Sequence, residues 1–99
     1  MMTETRRMAQ AGTGKVSEAL LGVYERELSA LIGVISKFIV TKQYQALMAG
    51  RGDALDRQKA LELVDLITKE AAILIGPVRS ENLRKEMIEE TDNFFKGVH

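Results

Sequence analysis

Apolar residues recur at helical spacing along most of this 99-residue chain, and glycines separate the stretches. In the first stretch, Leu28, Leu31, Ile35 and Phe38 follow one another three, four and three positions apart, which places them on one side of a helix. Residues 16–48 contain no proline, and helix-forming residues dominate both ends. The pattern therefore predicts a first long helix over about residues 16–48.

The segment ELSALIGVISKFIV, residues 27–40, leaves almost no polar face. Its β-branched residues would also suit a strand, but no turn signals flank it, so we favour a helix. A continuous helix over the whole first stretch would be about 50 Å long, whereas a compact globule of this chain length is only about 30 Å across. We therefore expect either a bend, near Gly33 or Thr41, or an elongated molecule.

Two further helices follow, and turn-forming residues mark their ends. The sequence AGRGD supplies two glycines and then Asp53, which is the predicted N-cap, with Asp56 three residues later as in a capping box. The second helix is predicted over residues 54–75. Gly-Pro at 76–77 ends it, because glycine suits a helix end and proline suits the first turn of the next helix. The third helix is predicted over residues 77–96.

These elements predict an all-α protein, with three helices that form an elongated helical bundle. A helix that is apolar all round is normally buried, and a chain of this length has only a small core. We therefore expect oligomerisation to complete the bundle. Residues 1–15 are predicted to be a flexible, mildly basic N-terminal arm, and residues 16–99 a single helical domain. The residues expected to contact another copy or a partner are Leu28, Leu31, Ile32, Ile35, Phe38 and Ile39.

Composition and charge argue against several other classes of protein. Fourteen basic and fourteen acidic residues cancel, which removes the simplest argument for nucleic acid or an anionic membrane. The chain has no cysteine, and its single histidine is the last residue, His99, so thiolate metal sites and histidine-based catalytic dyads are not expected. The apolar runs are shorter than the roughly 18–20 residues of a membrane span, and the N-terminal residues lack the apolar core of a signal peptide. We expect a cytoplasmic protein with no membrane, metal or cofactor site.

A second interpretation uses the positive charges around the turn that follows the first helix. Lysines and arginines gather near residues 51–59, and the basic arm could fold back to join them. The chain would then be a helical subunit that binds nucleic acid. The candidate phosphate contacts are Arg6, Arg7, Lys15, Lys42, Arg51, Arg57 and Lys59. Tyr44 is the only nearby aromatic residue for base stacking.

The helical outline, and the positions of Arg26 and Lys37, can be compared with known families of small helical proteins. In size and outline the chain is similar to helical-hairpin secretion substrates, flagellar export chaperones and helical chorismate mutases. The secreted hairpins have a Trp-x-Gly turn, and this chain has no tryptophan. The mutases hold a dicarboxylate with several inward basic residues, and here only Arg26 and Lys37 lie well inside the first helix. A small three-helix enzyme of the mutase type is the third interpretation.

The favoured interpretation is a non-enzymatic, homo-oligomeric helical module for protein interaction. Its role would be that of an adaptor, chaperone, regulator or assembly subunit. The expected partners are a second copy, in a homodimer or higher oligomer, and another protein. No catalytic residue is predicted.

Overall fold

The computed structural model describes residues 18–50 and 55–96, and these residues form four helices and no strand. The helices are α1, residues 18–32, α2, Ile35–Met48, α3, Arg57–Ile75, and α4, Pro77–Lys96. The predicted all-α class is confirmed. The predicted number of three helices is wrong, because the long first helix is divided into α1 and α2. The predicted arm, residues 1–15, lies outside the described residues.

The division falls at Gly33, which has a φ of 70°. The Gly33 N–H donates to the carbonyl of Ser29 at 2.9 Å, and its own carbonyl accepts from the Ser36 N–H at 3.1 Å. A left-handed residue with this bonding ends a helix, and glycine takes that conformation without the steric cost of a Cβ. Of the two bend positions predicted, Gly33 is therefore the break, and Thr41 lies inside α2.

α3 begins at Arg57, later than the predicted residue 54. Its N-cap is Asp56, whose extended backbone lets the side chain accept a hydrogen bond from the Lys59 N–H at 2.8 Å. Leu55, just before the cap, is only 4% exposed, so packing holds it in the core outside the helix. The predicted N-cap, Asp53, lies outside the described residues.

The turn between α3 and α4 is as short as the sequence predicted. Gly76 has a φ of 88°, and its N–H donates to the carbonyl of Ala72 at 2.9 Å. Pro77 is the first residue of α4, where its missing N–H would have had no helical partner in any case. The end of α3 and both ends of α4 therefore agree with the prediction.

α3 and α4 pack antiparallel, and polar pairs fix their register. Arg57 pairs with Asp92, Arg84 with Asp65, and the Ser80 hydroxyl donates to the carbonyl of Thr68. Residue numbers thus rise along one helix as they fall along the other. The turn at residues 75–77 consequently lies at one end of this helix pair, and the start of α3 lies at the other.

α1 runs antiparallel to α4. In the middle of α1, the Tyr24 hydroxyl forms a hydrogen bond with the Thr91 hydroxyl, whereas near the end of α1 Leu31 shares a groove with Arg79 and Leu83. The α1–α2 turn, residues 33–34, therefore lies at the same end of the molecule as the α3–α4 turn. We call this end, formed by residues 31–38 and 73–78, the hairpin end.

α2 leads from the hairpin end back along α3. Lys42 and Gln43 of α2 both donate hydrogen bonds to the carboxylate of Glu70 in α3. The described helices enclose one core, and the molecule measures 47 × 26 × 26 Å, which is elongated as predicted. The buried apolar residues of this core are Leu20, Tyr24, Leu28, Ile39, Val40, Met48, Leu55, Ala60, Leu63, Val64, Ile67, Ala71, Leu83 and Met87.

Candidate interaction surface at the hairpin end

The large apolar side chains that the described residues expose are all located at the hairpin end. Val34 is almost fully exposed at 99%, and Ile73 and Phe38 are 83% and 62% exposed. Isolated apolar residues are common on protein surfaces, but a group confined to one end of a molecule is typical of a contact site. The exposed set is Leu31, Val34, Ile35, Phe38, Ile73, Leu74 and Val78.

The group is exposed because the core stops before the helices do. The fully buried apolar residues nearest to the hairpin end are Leu28 in α1, Ile39 in α2, Ala71 in α3 and Leu83 in α4. Beyond them each helix continues toward its turn, and α1, α2 and α3 carry further large apolar residues there. No other described element covers this extension. The hairpin end is thus an apolar continuation of the core that opens to the outside.

Val34 is an apolar residue in a position that does not suit it in a single chain, because it is exposed and stands at a helix start. It occupies the N-cap position of α2, makes no capping hydrogen bond with its side chain, and has helical backbone angles. Serine, threonine, asparagine and aspartate are favoured at a helix start, and valine is among the poorest choices. A residue that departs from such a helix-start preference, with no stabilising contact inside its own chain in return, is a sign of function. Burial against another protein would provide such a gain.

The six predicted contact residues differ in their exposure. Leu31, Ile35 and Phe38 are exposed at the hairpin end, as the prediction requires. Leu28 and Ile39 are instead buried in the core of their own chain, at 0% and 1% exposure, so they are not available to a partner. The sixth, Ile32, is partly buried against the same core.

Four members of the exposed set were not among the predicted contact residues. Val34 was not singled out, because a helix running through residue 34 would not end there. Ile73 lies off the face of α3 on which Leu63, Ile67 and Leu74 recur, and that departure from the pattern was a usable signal for an exposed apolar residue. No separate signal in the sequence indicated Leu74 and Val78. Their position beside residues 31–38 depends on how the α1–α2 pair packs against the α3–α4 pair.

A groove of about 460 Å³ runs between α1 and α4 and opens at the hairpin end. Leu31 and Leu83 form part of its apolar lining, and Glu27, Glu86 and Arg79 are charged residues along it. Because Leu31 belongs to both, the groove and the exposed apolar set are continuous. One surface therefore combines an apolar end with a charged cleft.

Negative charge is concentrated in this groove. Burial raises the pKa of the Glu27 carboxyl above its ordinary value, and the charges of Glu86 and Glu90 raise it further, as does a hydrogen bond with Glu86. Arg26 acts in the opposite direction and is the weakest of these influences. A positive charge placed beside Glu27 and Glu86 would therefore be stabilised.

The predicted phosphate contacts that the structure describes are already paired with carboxylates. Lys42 lies 3.0 Å from Glu70, Arg57 lies 2.8 Å from Asp92, and the third, Lys59, lies 4.0 Å from Asp56. The Lys42 side chain also lies over the Phe38 ring, 5.8 Å from its centroid. The remaining candidates lie outside the described residues: Arg6, Arg7, Lys15 and Arg51.

The structure also separates these cations. Lys42 contacts residue 70 of α3, whereas Arg57 begins that helix, so about 20 Å of helix lies between the two positions. The hydrogen bond from Gln43, followed by that from Lys42, lowers the pKa of Glu70. Lys42 is therefore part of the α2–α3 contact and is not brought together with Arg57 and Lys59.

Over residues 18–50 and 55–96, no group of three or more acidic or histidine side chains is placed to hold a metal ion. Within the same residues, no helix combines the length and the apolar character that crossing a membrane requires. Comparisons with models of protein families, with curated proteins and with solved structures find no significant match to this chain.

Proposed function

We propose that this chain is a non-enzymatic helical module for protein interaction, and that it associates with a second copy of itself through the hairpin end. The observation that carries the proposal is that all seven large apolar side chains exposed by the described residues lie at this end. Their burial would remove from water the part of the core that a single chain leaves open. Each large apolar side chain that is fully buried contributes about 1.5–3 kcal/mol.

The overall charge supports a second copy as the partner. Basic and acidic residues are equal in number, so two copies approach without net repulsion. The small size supports it as well, because a chain of this length buries a limited share of its surface and gains core by association. The role of adaptor, chaperone, regulator or assembly subunit would then depend on what the assembled form binds.

The test compares Val34→Asp with Ala46→Asp. Val34 is 99% exposed and aspartate is favoured at a helix start, so the change leaves the fold of one chain intact. Ala46 is also exposed on α2 but lies outside the hairpin end. Light scattering after size-exclusion chromatography gives the mass, and circular dichroism confirms the helical content of each variant.

We expect the wild-type chain and Ala46→Asp to have the mass of an oligomer and Val34→Asp to have that of a monomer. The charge removes an apolar contact from each copy, so association weakens by about a hundredfold or more. A monomeric wild-type chain at high concentration would overturn the proposal. So would a Val34→Asp variant with the mass of the wild type.

A further inference from the structure

The charges that border the hairpin end differ in sign from one edge to the other. On α2, Lys37 is exposed and makes no ion pair with a described residue. It lies one helical turn from Val34 and next to Phe38, so it borders the exposed apolar set. Its long side chain can reach a group on an opposing surface.

The other edge is the acidic groove between α1 and α4. Glu27 lies one helical turn before Leu31, the residue that joins the groove to the hairpin end, and Glu86 faces Glu27 from α4. Arg79 lies nearer to the α3–α4 turn and is the basic residue of the groove lining. The hairpin end thus has a cation on its α2 edge, and the groove beside its α1–α4 edge has two carboxylates and one guanidinium, which leaves a net negative charge there.

Two copies related by a two-fold axis exchange these edges. In such a contact, a residue i of one copy meets a residue j of the other, and j meets i in return. If the two hairpin ends face each other across a two-fold axis perpendicular to the line that joins these edges, the α2 edge of each copy approaches the α1–α4 edge of its partner. An apolar patch with opposite charges on its two edges is therefore complementary to itself.

We infer that the hairpin end is a symmetric docking surface for a second copy of this chain, in which Lys37 of each copy enters the groove of the other and pairs with Glu27 and Glu86. The inference rests on the proposed self-association and adds its symmetry and its polar contacts. Apolar burial provides the affinity, and the charge pairs select one orientation over other ways of stacking the apolar ends.

The experiment uses charge reversal with heterodimer rescue. Lys37→Glu places carboxylates opposite carboxylates, and Glu86→Lys places cations opposite Lys37. Each variant alone should therefore dimerise about tenfold or more weakly than the wild type in low salt. Lys96→Glu, at the far end of α4, changes the net charge as Lys37→Glu does and should leave dimerisation unchanged. Analytical ultracentrifugation measures the dissociation constants.

Mixing the two weakened variants gives the decisive result. In a mixed dimer, the glutamate introduced by Lys37→Glu in one copy faces the lysine introduced by Glu86→Lys in the other. The native Lys37 of the second copy faces the native Glu86 of the first, so both contacts with position 86 are restored, while the introduced glutamate still faces the native Glu27 of the second copy. We expect the mixture to dimerise clearly more tightly than either variant alone, although less tightly than the wild type. A mixture as weak as its components would overturn the inference, and so would a Lys37→Glu variant as tight as the wild type.

The outcome for the symmetric contact can be separated from the outcome for self-association itself. If Lys37→Glu has no effect while Val34→Asp is monomeric, the charge pairing is wrong and self-association through the hairpin end stands. If the wild-type chain is monomeric, both the self-association and the charge pairing are wrong.

Discussion

Replacement of Gly33 by alanine tests the feature on which the whole arrangement depends, the left-handed turn between α1 and α2. Gly33 has a φ of 70°, and a Cβ built at this position would meet no atom within 4 Å. The cost of the substitution is therefore conformational and not steric. It reports directly on whether residue 33 adopts the left-handed conformation in the folded chain.

The expected magnitude follows from two opposing effects. An L-residue in the left-handed region costs about 1–2 kcal/mol, and alanine offsets part of this, about 0.4–1 kcal/mol, because it restricts the unfolded chain more than glycine does. Gly33→Ala should therefore lower the free energy of unfolding by roughly 1 kcal/mol. The matched control is Gly22→Ala in α1, where a Cβ also meets nothing within 4 Å and φ is not positive.

At Gly22 alanine should raise the free energy of unfolding by about 1 kcal/mol, since glycine inside a helix is that much less favourable. The same substitution is thus expected to act with opposite sign at two positions of one chain. Urea denaturation followed by circular dichroism, at one fixed protein concentration, measures both values. If Gly33→Ala stabilises the chain as Gly22→Ala does, residue 33 is helical, and the continuous helix over residues 16–48 replaces the turn.

Two further predictions concern the helix cap and a buried hydroxyl. Asp56→Ala should lower the free energy of unfolding by about 1 kcal/mol in urea denaturation because the Lys59 N–H loses its acceptor, and an Asp56→Asn variant as unstable as Asp56→Ala would contradict the capping role. Burial raises the pKa of Tyr24 to about 12, so its stabilising contribution is complete below pH 10, the ordinary value, and is lost as the pH rises toward 12. The loss should approach roughly 2–3 kcal/mol, and Tyr24→Phe should show a smaller decline over the same pH range.

The second half of the fold could be predicted closely because local signals agreed there. In α3, Leu63, Val64 and Ile67 recur in the sequence at the spacing of one helix face, and the structure buries all three. The glycine and proline at 76–77 end one helix and begin the next by their own backbone properties, without help from distant residues. Agreement between pattern and turn chemistry is the condition under which sequence determines structure most directly.

The first half could not be predicted to the same degree, because its hydrophobic spacing runs across the break. Leu28, Leu31, Ile35 and Phe38 keep helical spacing across Gly33, so they indicate one continuous seam. Gly33 alone is compatible with a helix interior or a helix end. The choice between a helix interior and a helix end is decided by the free energy gained when α2 packs back over α3. That free energy depends on residues that are distant in sequence.

The exposed apolar set coincides with the predicted contact residues only at Leu31, Ile35 and Phe38. A continuous helix would present Leu28 and Phe38 on one side, whereas two helices that meet at a turn direct Leu28 into the core and leave Phe38 62% exposed. The contribution of residues 73–78 depends on the antiparallel pairing of α1 with α4. Pairing of this kind is set by tertiary packing, which no single segment encodes.

The turn at Gly33 links the stability of the chain to its proposed association. The left-handed residue ends α1 and at the same point turns Val34 outward, to 99% exposure. A helix that continued through residue 34 would not place Val34, Ile35 and Phe38 beside the α3–α4 turn, and the exposed apolar set would be dispersed. The same residue that permits α2 to fold back over α3 therefore assembles the surface by which, in our proposal, a second copy is bound. A substitution at Gly33 should consequently weaken self-association together with folding, whereas one at Val34 should weaken self-association alone.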